Sequence, residues 1–198
     1  RNMSLFGKIS LIACLLLPLP AMAEIAVLIH GYHSSAAAWE TSGVSSILQE
    51  NGWSRAGLYT TAGPVVQFLP APESTAENQV FVIDLPSEAP IALQAGLLTM
   101  ALNDIQLRYP DEPITLIGHS AGAIIARTVL VRGTASGVVR LISVAGPNLG
   151  TERTIQALNA TDVPWPFSYV ADFFADSDYH TIKRSRHLLV DLLPATPG

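Results

Sequence analysis

Two kinds of apolar pattern alternate along the chain. Ile25–Ile29, Val80–Leu85, Ile114–Ile117 and Val138–Val144 are short, nearly continuous apolar runs. Runs of that length suit strands of a parallel sheet, and Ile25–Ile29 suits one buried on both faces. Between them the apolar residues fall at helical spacing. Val44, Ile47 and Leu48 form one such pattern, stopped by Asn51-Gly52. Leu93, Leu97, Leu98, Ala101, Leu102 and Ile105 form one face of a helix from Pro90 to Tyr109, which Pro110 ends. Ala123–Val131 continues the pattern directly after the third strand. Residues 53–79 are interrupted by Pro64, Pro70 and Pro72 and by the polar stretch Glu73–Asn78. They predict an irregular excursion with a short strand near Val65–Leu69. Strands separated by helices make βαβ units, so the expected fold is α/β: a doubly wound, mostly parallel sheet with helices on both faces.

Beyond residue 150 the pattern changes. Phe167, Val170, Ala171 and Phe174, and then Ile182, Leu189, Leu192 and Leu193, sit at helical spacing within 151–198. That stretch predicts a helical cap or lid segment, with Trp165 and the phenylalanines as an apolar wall. The other end reads as a targeting segment. Met3–Lys8 is a short positive region, Ile9–Leu19 an apolar core, and Ala21-Met22-Ala23 a small-residue cleavage site. Residues 3–23 are thus expected to be a secretory signal preceded by Arg1-Asn2, with the core over 24–150. Cleavage near Ala23 would deliver the protein to the periplasm or the medium. Leu11-Ile12-Ala13-Cys14 offers a lipobox as the rival reading, but the apolar run continues past Cys14.

Composition narrows the partners. The 198 residues are 49% hydrophobic and 14% charged, with a net charge of −5. That balance, without basic clusters, argues against nucleic acid. Cys14 is the only cysteine, so a chain cleaved at Ala23 holds no disulfide. The histidines are scattered and no Gly-x-Gly-x-x-Gly follows the first strand, so neither a metal nor a dinucleotide cofactor is expected.

The chemistry concentrates in Gly118-His119-Ser120-Ala121-Gly122, set between a strand and a helix. In that context Gly-x-Ser-x-Gly is a nucleophile elbow: a sharp turn holds Ser120 exposed at its tip, above a helix N-terminus that favours negative charge. His119, inside the turn, is expected to point away from the Ser120 hydroxyl, as a packing or specificity residue. One oxyanion donor would be the backbone N–H of Ala121, the residue after the nucleophile. The apolar strand leading into His30-Gly31, Trp39 soon after it, the Val82–Pro86 run, the Ser120 elbow and the Gly146–Gly150 turn together resemble α/β-hydrolases of the bacterial lipase and esterase kind. The resemblance covers residues 25 to 150. It implies a serine carboxylic-ester hydrolase with an acyl-serine intermediate, acting on a small apolar ester or a lipid. It also implies the backbone N–H of Tyr32 as the second oxyanion donor and His30 as a loop-holding residue, with a base role as the alternative.

A serine nucleophile needs a histidine and a carboxylate, expected in the order acid, then histidine, after Ser120. The sequence departs from the resemblance there, because helical patterns stand where two further strands should follow. Asp178 and His180 are too close together to come from separate strand ends. His187 lies among Lys183, Arg184 and Arg186, as on a solvated helix face. The acid and base are therefore expected beyond Gly198. If the chain ends there, His180 or His187 with Asp172 or Asp176 are the forced candidates. Lys183-Arg184-Ser185-Arg186 offers a transient contact with anionic lipid surfaces, although such clusters are commonly just solvated. A thioesterase or lipid-anchor deacylase would use the same parts. A non-catalytic lipid-binding or interaction module that kept a hydrolase fold is the alternative of a different class.

Overall fold

Strand β1, Ile25–Ile29, is buried at every residue and takes a central place in a six-stranded sheet. The computed structural model describes residues 23–72 and 76–148. The signal segment up to residue 22, residues 149 and 150 of the last turn, the 151–198 cap, and with it Asp172, Asp176, His180 and His187, lie outside the described residues. In chain order, β1 is followed by helices α1 (Ala37–Thr41) and α2 (Val44–Glu50), then strands β2 (Trp53–Ala62), β3 (Val65–Pro70) and β4 (Asn78–Ile83). Helix α3 (Ile91–Arg108), strand β5 (Ile114–His119), helix α4 (Ala121–Arg132) and strand β6 (Val138–Val144) complete it.

The sheet order is β3-β2-β4-β1-β5-β6. All neighbours are parallel except the β2–β3 hairpin. This is the doubly wound, mostly parallel sheet that the apolar runs predict. Alternate residues of β1 feed two cores. Ile25, Val27 and Ile29 join Phe81, Ile83 and the inner faces of α3 and α4, while Ala26 and Leu28 join Trp39, Val80 and Val82 beneath α1 and α2. The helix after β1 and the helix after β5 therefore cover opposite faces. The carboxyl ends of those two adjacent strands form the topological switch point, where such sheets place their ligands.

Two expectations need correction. Residues 53–62 form a ten-residue strand rather than an irregular excursion. A bulge between Arg55 and Gly57 shifts its register against β4, which breaks the alternation that would have marked it. Gly57 is there for space: Phe68 and the Leu69 carbonyl of β3 occupy the place a side chain would need. On α3, Leu93 is exposed and Gln94 turns inward instead, donating from Nε2 to the Ala89 carbonyl at 2.6 Å. The remaining face, from Leu97 to Ile105, is buried.

A polar chain ties the hairpin to α3. The Tyr59 hydroxyl donates to Asp104 at 2.6 Å, Arg108 Nε donates to the same carboxylate at 2.8 Å, and the Arg108 guanidinium lies 4.5 Å over the Phe68 ring. Burial first, and then the Asp104 carboxylate, push the Tyr59 phenol far above its ordinary range. The bond from Arg108 holds Asp104 below its own.

Truncating a fully buried residue of α3 removes its contacts and leaves a cavity. Leu102→Ala is expected to cost about 2–5 kcal/mol in urea denaturation. Leu107→Ala, on the same helix but 83% exposed, should stay within about 0.5 kcal/mol of the parent.

Candidate active site

Ser120 stands between the end of β5 and the start of α4, with φ 52° and ψ −122°. A non-glycine residue at such angles carries on the order of 1–3 kcal/mol of strain, which the surroundings must hold. Its N–H donates to the Val144 carbonyl at 2.9 Å, and its carbonyl accepts from Ala123 N–H at 3.1 Å. The turn is thus tied to β6 on one side and to the first turn of α4 on the other. Among the described residues, His33, Ser120 and Ala145 are the non-glycine residues with positive φ. Each follows closely on the carboxyl end of a strand, so the strained backbone gathers at the same rim.

The two elbow glycines answer to close packing. A Cβ on Gly118 would lie 2.5 Å from Ala123 Cα and 2.6 Å from Ala123 N. One on Gly122 would land on the carbonyl oxygens of Ile29 and His30. The first turn of α4 therefore sits directly on the end of β1, and β5 sits directly on that turn. Gly31 completes the contact, since a Cβ there would stand 3.0 Å from Ser120 Cβ and 3.2 Å from the His119 carbonyl. The His30-Gly31-Tyr32 loop and the elbow consequently meet.

The structure brings together Ser120, Ala121, Gly31 and, through the loop, Tyr32. Ala121 opens α4, so its N–H is one of the first-turn amides that no helical carbonyl accepts. Among the described residues no capping hydrogen bond engages the Ser120 side chain. His119 is exposed, its Nδ1 lying beside Gly31. His30 is 2% exposed and has both ring nitrogens engaged: Nδ1 with the Gly31 carbonyl at 2.9 Å, Nε2 with the Leu85 N–H at 3.0 Å. The Gly146 turn packs on Ala123, and Arg127 of α4 reaches the Asn148 carbonyl and side chain at 3.4 Å.

Sequence reasoning overlooked two groups at this rim. Asp84, at the end of β4, accepts the Ala36 N–H at 2.8 Å and so fixes the entry to α1. His33 and Glu88 approach to 3.7 Å, both half exposed. Neither carries a local motif, because each acts across loops distant in sequence. A cavity of about 410 Å³ lined by Tyr59, Phe68, Met100, Asp104 and Arg108 lies at the hairpin side, and none of the elbow residues lines it.

This geometry makes the elbow sensitive to a single methyl group. Gly122→Ala is expected to lose several kcal/mol of stability or fail to fold, because backbone carbonyls cannot yield to it. Ser120→Gly, which relaxes the positive φ, should match or exceed the parent's unfolding midpoint. A Ser120→Gly variant clearly less stable than the parent would mean that the turn is not strained.

No family model matches the sequence, and no curated protein does. Solved structures do match in shape. The product of gene lin2722 from Listeria innocua superposes with a TM-score of 0.56 at 14% identity, over 75% of this chain and 63% of that one. The lipase BlEst2 from Bacillus licheniformis, in its mature form, gives 0.54 at 20% identity, over 88% of this chain and 62% of that one. Its propeptide form gives 0.55 at 19%, over 88% and 34%. The chain thus spans less than two thirds of the length of each of these structures. A mostly parallel sheet with helices on both faces, a serine elbow at its switch point and these likenesses lead to one conclusion: the chain has the α/β-hydrolase fold.

Proposed function

We propose that the protein is an exported serine hydrolase that cleaves carboxylic esters through an acyl-Ser120 intermediate. The observation that carries this reading is the positive φ of Ser120 at a glycine-flanked turn, held against the His30–Tyr32 loop at the sheet's switch point. An ordinary strand–helix turn has no reason to hold a serine in that conformation. The Ser120 hydroxyl would attack the ester carbonyl and the leaving alcohol would depart. The N–H groups of Ala121 and Tyr32 would receive the charge that develops on oxygen, a contribution of roughly 3–4 kcal/mol for a single donor. Water would then release the acid and regenerate the hydroxyl. The apolar acyl chain expected of the substrate rests on the lipase-like turns in the sequence, and the lipase of similar shape, solved in two forms, supports an ester over a peptide.

A fluorophosphonate probe is expected to label the full-length protein, and Ser120→Ala to abolish the label. The same substitution should lower kcat on p-nitrophenyl butyrate by about 10⁴-fold or more. An intact protein that takes no label would point instead to a non-catalytic module with a retained fold.

Export is supported by where strand β1 lies. It begins at Ile25, just past the expected cleavage site at Ala23, so cleavage there would leave the strand whole. Among the described residues Glu24 is the first to make long-range bonds, its N–H donating to Asn78 and its carboxylate accepting from Arg140, both at 3.0 Å. N-terminal sequencing of protein recovered from the periplasm or medium should therefore read Glu24-Ile25-Ala26. A mature N-terminus at Cys14 would establish the lipoprotein reading in its place.

A further inference from the structure

Among the described residues, β3 is the last strand of the sheet on the hairpin side. The direction of its backbone groups follows from its partner β2. Asp84 N–H donates to the Tyr59 carbonyl at 2.7 Å, so Tyr59 spends its backbone groups on the β4 side. Its neighbours Leu58 and Thr60 must then turn theirs to β3, where they stand opposite Leu69 and Gln67. That leaves Val66 and Phe68 with N–H and C=O pointing out of the sheet. The side chains alternate in the same way. Val66 and Phe68 pack against the core, while Val65, Gln67 and Leu69 are exposed, Val65 at 55% and Leu69 at 44%.

A bare edge of this kind is a template for another strand, and proteins commonly blunt it with charge. Here no Asp, Glu, Lys or Arg lies between Arg55 and Glu73. The edge also matches itself. Suppose a second β3 pairs antiparallel about a two-fold axis at Gln67. Val66 of one copy then faces Phe68 of the other, and the outward N–H and C=O groups of both residues all find partners. Val65 meets Leu69 across the axis and Gln67 meets Gln67, so the exposed apolar side chains cover one another. Pro64 falls opposite Pro70, and the missing N–H groups end the ladder at both sides.

Such an axis stands normal to the sheet, which keeps both copies of α3 on one face. The cavity of about 410 Å³ between β3 and α3, lined by Val66, Phe68, Met100, Asp104 and Arg108 among others, lies beside this edge. Pairing would bring two such cavities face to face, and Met100, 44% exposed, adds apolar area that a short ladder lacks. The same patch serves on both copies, so the contact closes at two and does not grow into a fibre.

We infer that the free edge of β3 is a homodimer interface, in which two copies pair antiparallel about Gln67 and join their sheets. The inference is independent of the acyl-serine reading. Because the axis reverses the strands, the two Ser120 turns open at opposite ends of the joined sheet.

Sedimentation velocity of the full-length protein at micromolar concentrations is expected to show a dimer. Gln67→Lys and Gln67→Glu each place like charges against each other on the axis, and each should raise the dimer Kd by about 10-fold or more. An equimolar mixture of the two should reassociate, because opposite charges then meet. Residue 67 is exposed, so both variants should keep the parent's circular dichroism. In a Cys14→Ser background, Gln67→Cys should oxidise to a covalent dimer, since facing Cα atoms of a non-hydrogen-bonded pair lie about 4.5 Å apart. Val65→Cys should not, because its two copies would stand about 13 Å apart along the strands. A monomeric parent overturns the inference, even if an extended peptide from another protein adds to the edge. So does a dimer that both charged variants leave intact, a mixture that fails to reassociate, or cross-linking at position 65 in place of 67.

Discussion

Everything at the crevice depends on how closely one helix approaches one strand. The first turn of α4 lies on the carboxyl end of β1 with backbone against backbone, and the positions that make this contact have no room for a side chain. From that approach follow the sharpness of the turn before α4, the positive φ of Ser120 and the position of the Ala121 amide. The strain is local, but its restraint is not. Val144 on β6, the carbonyl ends of β1 and the first turn of α4 each hold one side of the turn. A sheet with fully buried central strands can bear such a load, because its own geometry is over-determined by packing.

Opposite the elbow, the His30 loop is fixed by a different kind of bond. The buried His30 ring reaches the Gly31 carbonyl and the Leu85 amide, and the partly exposed Asp84 carboxylate accepts from the Ala36 amide. These bonds align the β1 and β4 loops without a motif of their own. Packing thus sets the serine side of the crevice, and directional polar contacts set the other.

The difference decides what the sequence reveals. A run such as Ile25–Ile29 has one stable home, the middle of a parallel sheet, and Gly118, Ser120 and Gly122 state their spacing openly. Strand β2 was concealed by its bulge: Trp53 and Leu58 pack on the same core although they are an odd number of residues apart. Leu93 was misplaced because a one-residue step on a helix turns a side chain by about 100°, enough to exchange it for Gln94. The Asp84 and His33–Glu88 contacts join residues whose separation follows no period. No acid or histidine after Gly150 is marked in the way that Ser120 is, since such residues come from loops whose lengths are not fixed by the sheet.

The order of the strands also has a consequence in time. Strand β1 comes early in the described chain, yet its partners, β4 and β5, come much later, and Ile25 must wait to pair with Ile114. Closing such separations is slow, and local contacts cannot replace it. The turn at Ser120 needs the end of β1 beneath it and β6 beside it before it can be bent. A chain still emerging therefore carries the serine as an ordinary, relaxed residue. The bent turn at Ser120 therefore cannot precede the pairing of β1 with β5 and of β5 with β6.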